Sequence, residues 1–234
     1  YLELRAMGAN RDIHSSRAPL IPNPAWRLIW ALASMKGPDE RIRIPGWYDD
    51  VKEPTQQEER LLREAPFEEE EEKKQLGLRE FLRGLSGVDS RRALYFSTTC
   101  NVCGFGSGYT GPGSKTILPS AATAKVDFRL VEAQRPDDLA AKVQEHLRRE
   151  GFGDVEVVRM AGYEPAKTPP TDPFAVHVAE TARRVYGRRP VVWPTTAGTS
   201  PIYTIRNWMG IPVASAGGVG YPGSNVHSPN ENIR

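Results

Sequence analysis

Disulfide chemistry is nearly absent from this chain: Cys100 and Cys103 are its two cysteines in 234 residues, too few to staple a small secreted fold. Long apolar runs are missing as well, so neither a helical membrane span nor a secretory leader is expected, and the cytoplasm is the expected compartment. An excess of either charge is lacking, since 31 Lys and Arg stand against 29 Asp and Glu. A net charge of +2 makes no field suited to nucleic acid or to an anionic membrane, which leaves small uncharged or zwitterionic partners. Finally, there is no H-x-D, no H-E-x-x-H and no cysteine cluster at ligand spacing. A catalytic zinc takes about three protein ligands plus water, so these residues do not complete such a site by themselves.

What is present has a clear order. Tyr1 to Met7 alternates as a strand does, and a polar loop with Asn10, Arg11, Asp12 and His14 follows. Asn23 is a good N-cap and Pro24 suits a first turn, so a helix is predicted to Gly37 with Trp26, Leu28, Ile29, Leu32 and Ala33 as its buried stripe. From Pro38 to about Arg92 the composition shifts to acidic, helix-forming segments, including Glu68 to Glu72, which read as an insertion with a solvated face. A strand is predicted at Ala93 to Val102, a glycine-rich loop at Gly104 to Lys115, and a second strand at Thr123 to Val131. In that strand Val126, Phe128 and Leu130 face the core while Lys125, Asp127 and Arg129 face away. A helix from Pro136 to about Glu150, stopped by Gly151, and a strand from Asp154 to Met160 complete the series β-α-β-β-α-β, the split unit of ferredoxin-like folds.

After Gly162 a proline-rich connection, Glu164 to Pro173, marks the expected boundary between residues 1–162 and a second, α/β part at 163–234. There Asp172 caps a helix ended by Gly187, and strands are predicted at Pro190 to Trp193 and Ile211 to Ala216. Between them Ser200 can cap a helix with Pro201 in its first turn. Gly217 to Asn225 reads as a loop, and Ser228-Pro229-Asn230-Glu231 as a capping box. The opening residues already read as a strand and the closing ones as a helix just begun, so further sequence is expected beyond both ends.

Few residues here could carry chemistry. His227 stands before the capping box, at the end of a glycine-rich loop that leaves the carboxyl end of a predicted strand, where open α/β sheets place their ligands; alone it reads more readily as a loop histidine bonded to a carbonyl. Ala197-Gly198-Thr199-Ser200-Pro201 offers backbone N–H groups at a helix start, able to hold a carboxylate or to be an ordinary capped turn. His14 and Arg129 belong to the first part and, taken singly, are loop and strand residues facing water. Cys100 and Cys103 do not open a helix, which argues against a redox pair.

The order of these features resembles the dinuclear-zinc metallopeptidase family that includes carnosinase, peptidase V, acetylornithine deacetylase and succinyl-diaminopimelate desuccinylase. Asn10-Arg11-Asp12-Ile13-His14-Ser15 is similar to its lid-domain histidine motif, and Ile44-Pro45-Gly46-Trp47-Tyr48-Asp49-Asp50 to a stretch of the dipeptidase branch. Gly108 to Pro119 and Phe128-Arg129-Leu130-Val131 resemble two further lid motifs, and His227 to Glu231 the last metal-ligand motif. The resemblance implies an α/β enzyme with a ferredoxin-like lid, of which this chain is the lid plus the C-terminal part of the catalytic domain. It implies a homodimer through the lid and two Zn2+ per site, with Mn2+ or Co2+ as substitutes. By the same resemblance His227 is a metal ligand. His14 stabilises the oxyanion from across the dimer, and Thr116, Arg129, Gly198, Thr199 and Ser200 hold the carboxylate end of a small peptide. The implied reaction is amide hydrolysis by a dipeptidase or carboxypeptidase. An N-acyl amino acid deacylase and a non-catalytic, carboxylate-binding dimerisation module are the alternatives. Two departures stand out: Thr199-Ser200 replaces the usual serine and aliphatic pair, and Ser16 replaces the usual glycine.

Overall fold

The structure, a computed structural model, describes residues 1–215, 221 and 223–233. It divides into two compact units, Tyr1–Glu53 with Arg92–Pro165, and Pro54–Arg91 with Ala166–Arg234. The later change of unit lies between Pro165 and Ala166, and Pro54–Arg91, most of the stretch read as an insertion, groups with the second unit.

The first unit is built on a four-stranded antiparallel sheet. Its strands are β1 (Leu2–Met7), β3 (Asn101–Ser107), β5 (Ala121–Asp127) and β6 (Glu156–Arg159), in the spatial order β3-β5-β1-β6. Two further short strands, β2 (Ile13–His14) and β4 (Ile117–Leu118), pair as a separate ribbon. Helices α1 (Pro24–Met35) and α5 (Pro136–Arg149) cover the sheet, which completes the ferredoxin-like unit. The period of two in β1 sends Leu2, Leu4 and Ala6 into the core against Ala122, Ala124 and Val126 of β5. Leu28, Ala31 and Met35 of α1 and Leu139, Val143 and Leu147 of α5 close over them. Burying each leucine contributes about 1.5–3 kcal/mol.

Asn23 caps α1 as expected, its Oδ1 accepting from the Ala25 N–H at 2.9 Å. The buried stripe differs from the expected one. Trp26, Ile29 and Ala33 lie outward with Trp30, and the two indoles stack at 5.9 Å, because the sheet is met by the face through Leu28, Ala31 and Met35. The strand predicted at Ala93 to Val102 is also displaced. Residues up to Phe96 finish α4 (Gly87–Phe96), and the strand runs through Gly104 and Gly106 instead. These glycines pair opposite Lys125 and Thr123 on an edge strand, where little packing is asked of them, and a bulge between Val102 and Gly104 marks the irregularity. Likewise β5 ends at Asp127, so residues 128–131 lie past the ladder, although Phe128 and Leu130 still pack on the core.

In the second unit, Thr55 and Glu58 form a reciprocal capping box that starts α2 (Gln56–Glu64). α3 (Glu69–Leu76) carries the acidic run at its N-terminus and buries none of its residues. Glu58 is buried and ion-paired with Lys167, which ties α2 to the stretch after Ala166 and explains why the insertion groups there. Burial pushes the Glu58 carboxyl up, but Lys167 and the Thr55 donors outweigh it and hold it below its ordinary value. α6 (Pro173–Tyr186) begins at Asp172, which accepts from Phe174 N–H at 2.9 Å, and ends at left-handed Gly187. The strands predicted at Pro190 to Trp193 and over Ile211 to Ser215 belong to no sheet, since the described residues offer them no ladder; the Val213 N–H goes to the Thr168 side chain. Ala216, and the loop residues Gly217 to Gly220 and Pro222, lie outside the described residues. Among the described residues no helix is long and apolar enough to cross a membrane.

His146 of α5 is 4% exposed and sits 3.1 Å from Ser34 Oγ of α1 through its Nε2. Burial holds its pKa below the ordinary value near 6.5, against the opposing pull of Glu150. The unfolded chain therefore takes up this proton first as the pH falls. Stability from the neutral ring is present above about pH 6.5 and is lost below it, by up to about 1.4 kcal/mol per pH unit. Thermal unfolding between pH 7.5 and 5 is expected to show this fall, and His146→Gln to flatten it. Equal slopes in the two proteins would contradict the assignment.

Candidate functional site

The ribbon β2/β4 brings two of the expected site residues together. His14 pairs with Ile117, and the Ser15 N–H donates to the Thr116 carbonyl at 3.1 Å, so His14 and Thr116 are neighbours on one exposed edge. Asp12 fastens this ribbon to the start of β5: its Oδ1 accepts from the Ser120 N–H and the Ser120 hydroxyl, both at 2.9 Å. Those two donors hold the Asp12 carboxyl below its usual range. The His14 ring is oriented from its own turn. Its Nδ1 accepts from the Ser16 N–H at 3.2 Å and lies 2.9 Å from Ser16 Oγ. A neutral ring with Nδ1 so engaged carries its proton on Nε2, leaving an N–H donor at the ring's far corner. Ser16, the departure from the usual glycine, thus adds a side-chain partner to that corner.

Arg129 lies elsewhere in the same unit. It follows the end of β5, and its Nε donates to Asp127 Oδ2 at 3.0 Å. Because β5 starts at Ala121 beside the ribbon, the strand's length separates the two places: Ala121 to Asp127 spans about 20 Å at ~3.3 Å per residue. His14 and Thr116 are therefore at one end of β5 and Arg129 at the other.

In the second unit, Gly198, Thr199 and Ser200 are all exposed in an irregular stretch. A Cβ added at Gly198 would meet nothing within 4 Å, and no positive φ demands glycine there. The helix expected after Ser200 is a short one that closes as a π-turn at Thr204–Trp208 and ends at left-handed Gly210, with no side-chain cap; Ser200 does not perform the capping role predicted for it. His227 is exposed in a tight turn, and its backbone N–H donates to Glu231 Oε2 at 3.3 Å. Glu231 thus reaches back one residue further than the predicted capping box requires. Three non-glycine residues here, Asn225, His227 and Asn230, have φ near +60°, which explains why no regular helix starts at Ser228 among the described residues.

Among the described residues, no three His, Cys, Asp or Glu side chains come together as a metal site. The donors present among the described residues therefore do not make up a metal centre by themselves. Both cysteines are free. Burial pushes the Cys100 thiol up to about 11, which suits neither a nucleophile nor a ligand at neutral pH. Sequence reasoning passed over Ser16 and Asp12 as contributors, and also over Thr98 and Thr99, whose hydroxyls bond the Arg129 backbone at 2.9 and 3.0 Å. Isolated hydroxyl residues in loops have no spacing that would reveal such roles.

The sequence profile of the peptidase dimerisation domain matches residues 2–155. The structure is similar to the M20 family metallo-carboxypeptidase Sso-CP2 from Sulfolobus solfataricus, with 40% identity and a TM-score of 0.91 over 99% of this chain and 53% of that one. It is similar in fold to the di-peptidase Dug1p from Saccharomyces cerevisiae at 19% identity, with a TM-score of 0.79 over 99% of this chain and 49% of that one. In sequence it is 23% identical to the beta-Ala-His dipeptidase of Rattus norvegicus over 175 residues, which are 70% of this chain and 35% of the relative. The chain thus spans about a third of that relative's length and about half of each structural one.

Long-range 15N–1H spectra of the neutral His14 ring are expected to show the Nε2–H tautomer. Ser16→Gly is expected to leave that tautomer in place through the backbone N–H while broadening the ring signals. An Nδ1–H ring in the parent protein would contradict the geometry.

Proposed function

The chain belongs to the M20 peptidase dimerisation domain family, and from that premise we propose that it supplies the lid and the C-terminal part of the catalytic domain of a metal-dependent amide hydrolase. Residues 1–162 carry the lid, with the helical stretch Pro54–Arg91 an insertion that groups with the second unit, and 163–234 the catalytic part. The substrate we infer is a dipeptide or other short peptide with a free terminal carboxylate. The proposed cofactor is a pair of Zn2+ ions, with Mn2+ or Co2+ able to replace them, and His227 is the one ligand this chain contributes. When bound, such ions supply an activated water and a Lewis acid. The cytoplasm is the proposed compartment, supported by two cysteines that stay unpaired.

The observation that carries the reading is the placement of two recognition elements at opposite ends of β5. His14, with its outward Nε2–H, suits a developing oxyanion; Thr116 beside it and Arg129 suit a peptide carboxylate. A dipeptide is far shorter than the strand between them, so one chain cannot apply both to one substrate. Two copies can, if His14 and Thr116 of one complete the site that holds the other's Arg129. The exposed α1 face with Trp26, Ile29 and Trp30 and the open edge of β3, where Val102 and Phe105 are exposed, are the surfaces we assign to that homodimer. In the second unit Gly198, Thr199 and Ser200, exposed with open space beside the glycine, are assigned to the same substrate.

In the full-length enzyme His14→Ala is expected to lower kcat about a hundredfold to a thousandfold with a far smaller change in KM. Mixing His14→Ala subunits with Arg129→Ala subunits is expected to recover about a quarter of the parent activity, since each random heterodimer then holds one intact site. No recovery after verified subunit exchange would place both residues in one copy's site. His227→Ala is expected to lower bound zinc, measured by elemental analysis, by about one equivalent per subunit. Unchanged metal content would remove His227 from the ligand set. Activity on N-acetyl amino acids but not on dipeptides would move the reading to the deacylases.

A further inference from the structure

The stretch Ile44 to Asp50 is remote in sequence from every site residue, yet its tryptophan ends against the Arg129 segment. Residues 128–131 follow the last ladder pair of β5, so the sheet no longer fixes their backbone. Something else does. The Arg129 N–H donates to Thr99 Oγ1 at 3.0 Å, and the Arg129 carbonyl accepts from the Thr99 N–H at 3.0 Å and the Thr98 hydroxyl at 2.9 Å. A hydroxyl that donates in one direction can accept from another, and Thr98 Oγ1 accepts from Trp47 Nε1 at 3.2 Å. The indole is 1% exposed, and its ring packs 5.2 Å from that of Phe128, the residue before Arg129. On the other side, buried Gln134 donates through Nε2 to the Trp47 carbonyl at 2.9 Å and accepts the Val131 N–H at 3.1 Å. One buried tryptophan therefore braces the segment at two places, reaching the Arg129 carbonyl through Thr98 and the Val131 N–H through Gln134.

We propose that Trp47, Thr98 and Gln134 are positioning residues that hold Arg129 in the place where it meets the substrate's carboxylate. The two bonds made by Trp47, to Thr98 and from Gln134, are buried with no water to replace them, so their loss moves the segment they brace. The guanidinium is exposed and its recognition of a carboxylate is geometrically demanding, so a small displacement of its backbone is felt in binding. The Trp47 stretch thus acts on substrate recognition through Arg129 and touches no substrate itself. This inference rests on the reading of Arg129 as the carboxylate ligand.

The test uses the full-length enzyme, with Trp47→Phe and Thr98→Val as disrupting variants, Thr98→Ser as the conservative one and Arg129→Ala as the control. A dipeptide is assayed beside the same dipeptide amidated at its C-terminus, which offers no carboxylate. Trp47→Phe and Thr98→Val are expected to raise KM for the free dipeptide about tenfold with kcat within about twofold, to leave the amide unaffected, and to have KM restored in Thr98→Ser. Hydrogen exchange over residues 128–131 is expected to quicken in Trp47→Phe without a change elsewhere in the sheet. Exchange as slow as in the parent, or equal losses on both substrates, would overturn the positioning role. If exchange quickens but Arg129→Ala treats the two substrates alike, the fault lies with the reading of Arg129.

Discussion

The antiparallel register of β1 on β5 sets where everything else in the first unit can be. Leu2 pairs with Val126 and Met7 with Ala121, so the turn of chain after Met7 and the chain before Ala121 leave the sheet at the same end. The ribbon that carries His14 and Thr116 forms there, clamped by Asp12 on Ser120. Arg129 leaves from the opposite end of the same strand. A slip of one residue would send the inward side chains of β1 outward and move the ribbon along the strand, so core packing and site geometry depend on one register. On the proposed reading the assembly follows from it: two ends separated by about 20 Å of strand would meet one small peptide only if a second copy brought its ribbon to the first copy's Arg129.

The outline of the lid is legible in the sequence, because it rests on local chemistry that sequence states directly. Asn23-Pro24 names a helix start and the alternation of Leu2, Leu4 and Ala6 names a half-buried strand, as Asp172-Pro173 names the start of α6 in the second unit. What failed was decided by packing. The apolar residues of α1 are too many for one stripe, and only the sheet chooses Leu28, Ala31 and Met35 over Trp26 and Ile29. The glycines of β3 lower its strand propensity, yet an edge strand facing Lys125 and Thr123 asks for little more than backbone pairing.

The candidate site residues are legible in a different sense, through a family resemblance. His14, Thr116 and Arg129 were found through motifs, while their surroundings had no linear signature. Ser16 orienting the His14 ring, and Trp47, Thr98 and Gln134 bracing the Arg129 segment, are contacts between residues far apart or of unremarkable type. The second unit shows the same limit from the other side. Apolar segments at Pro190–Trp193 and before Ala216 have the composition of strands, but composition does not supply a neighbour to pair with. The ion pair of Glu58 with Lys167, invisible as a pattern, groups the helical insertion with the second unit.

The proposed active site is composed of residues from two copies. It is tested most directly by a crystal structure of the full-length protein with a non-hydrolysable dipeptide analogue bound. The account expects one ligand to accept a hydrogen bond from His14 Nε2 of one subunit while its carboxylate meets Arg129 of the other. A ligand held by His14 and Arg129 of the same subunit, or by neither, would contradict it.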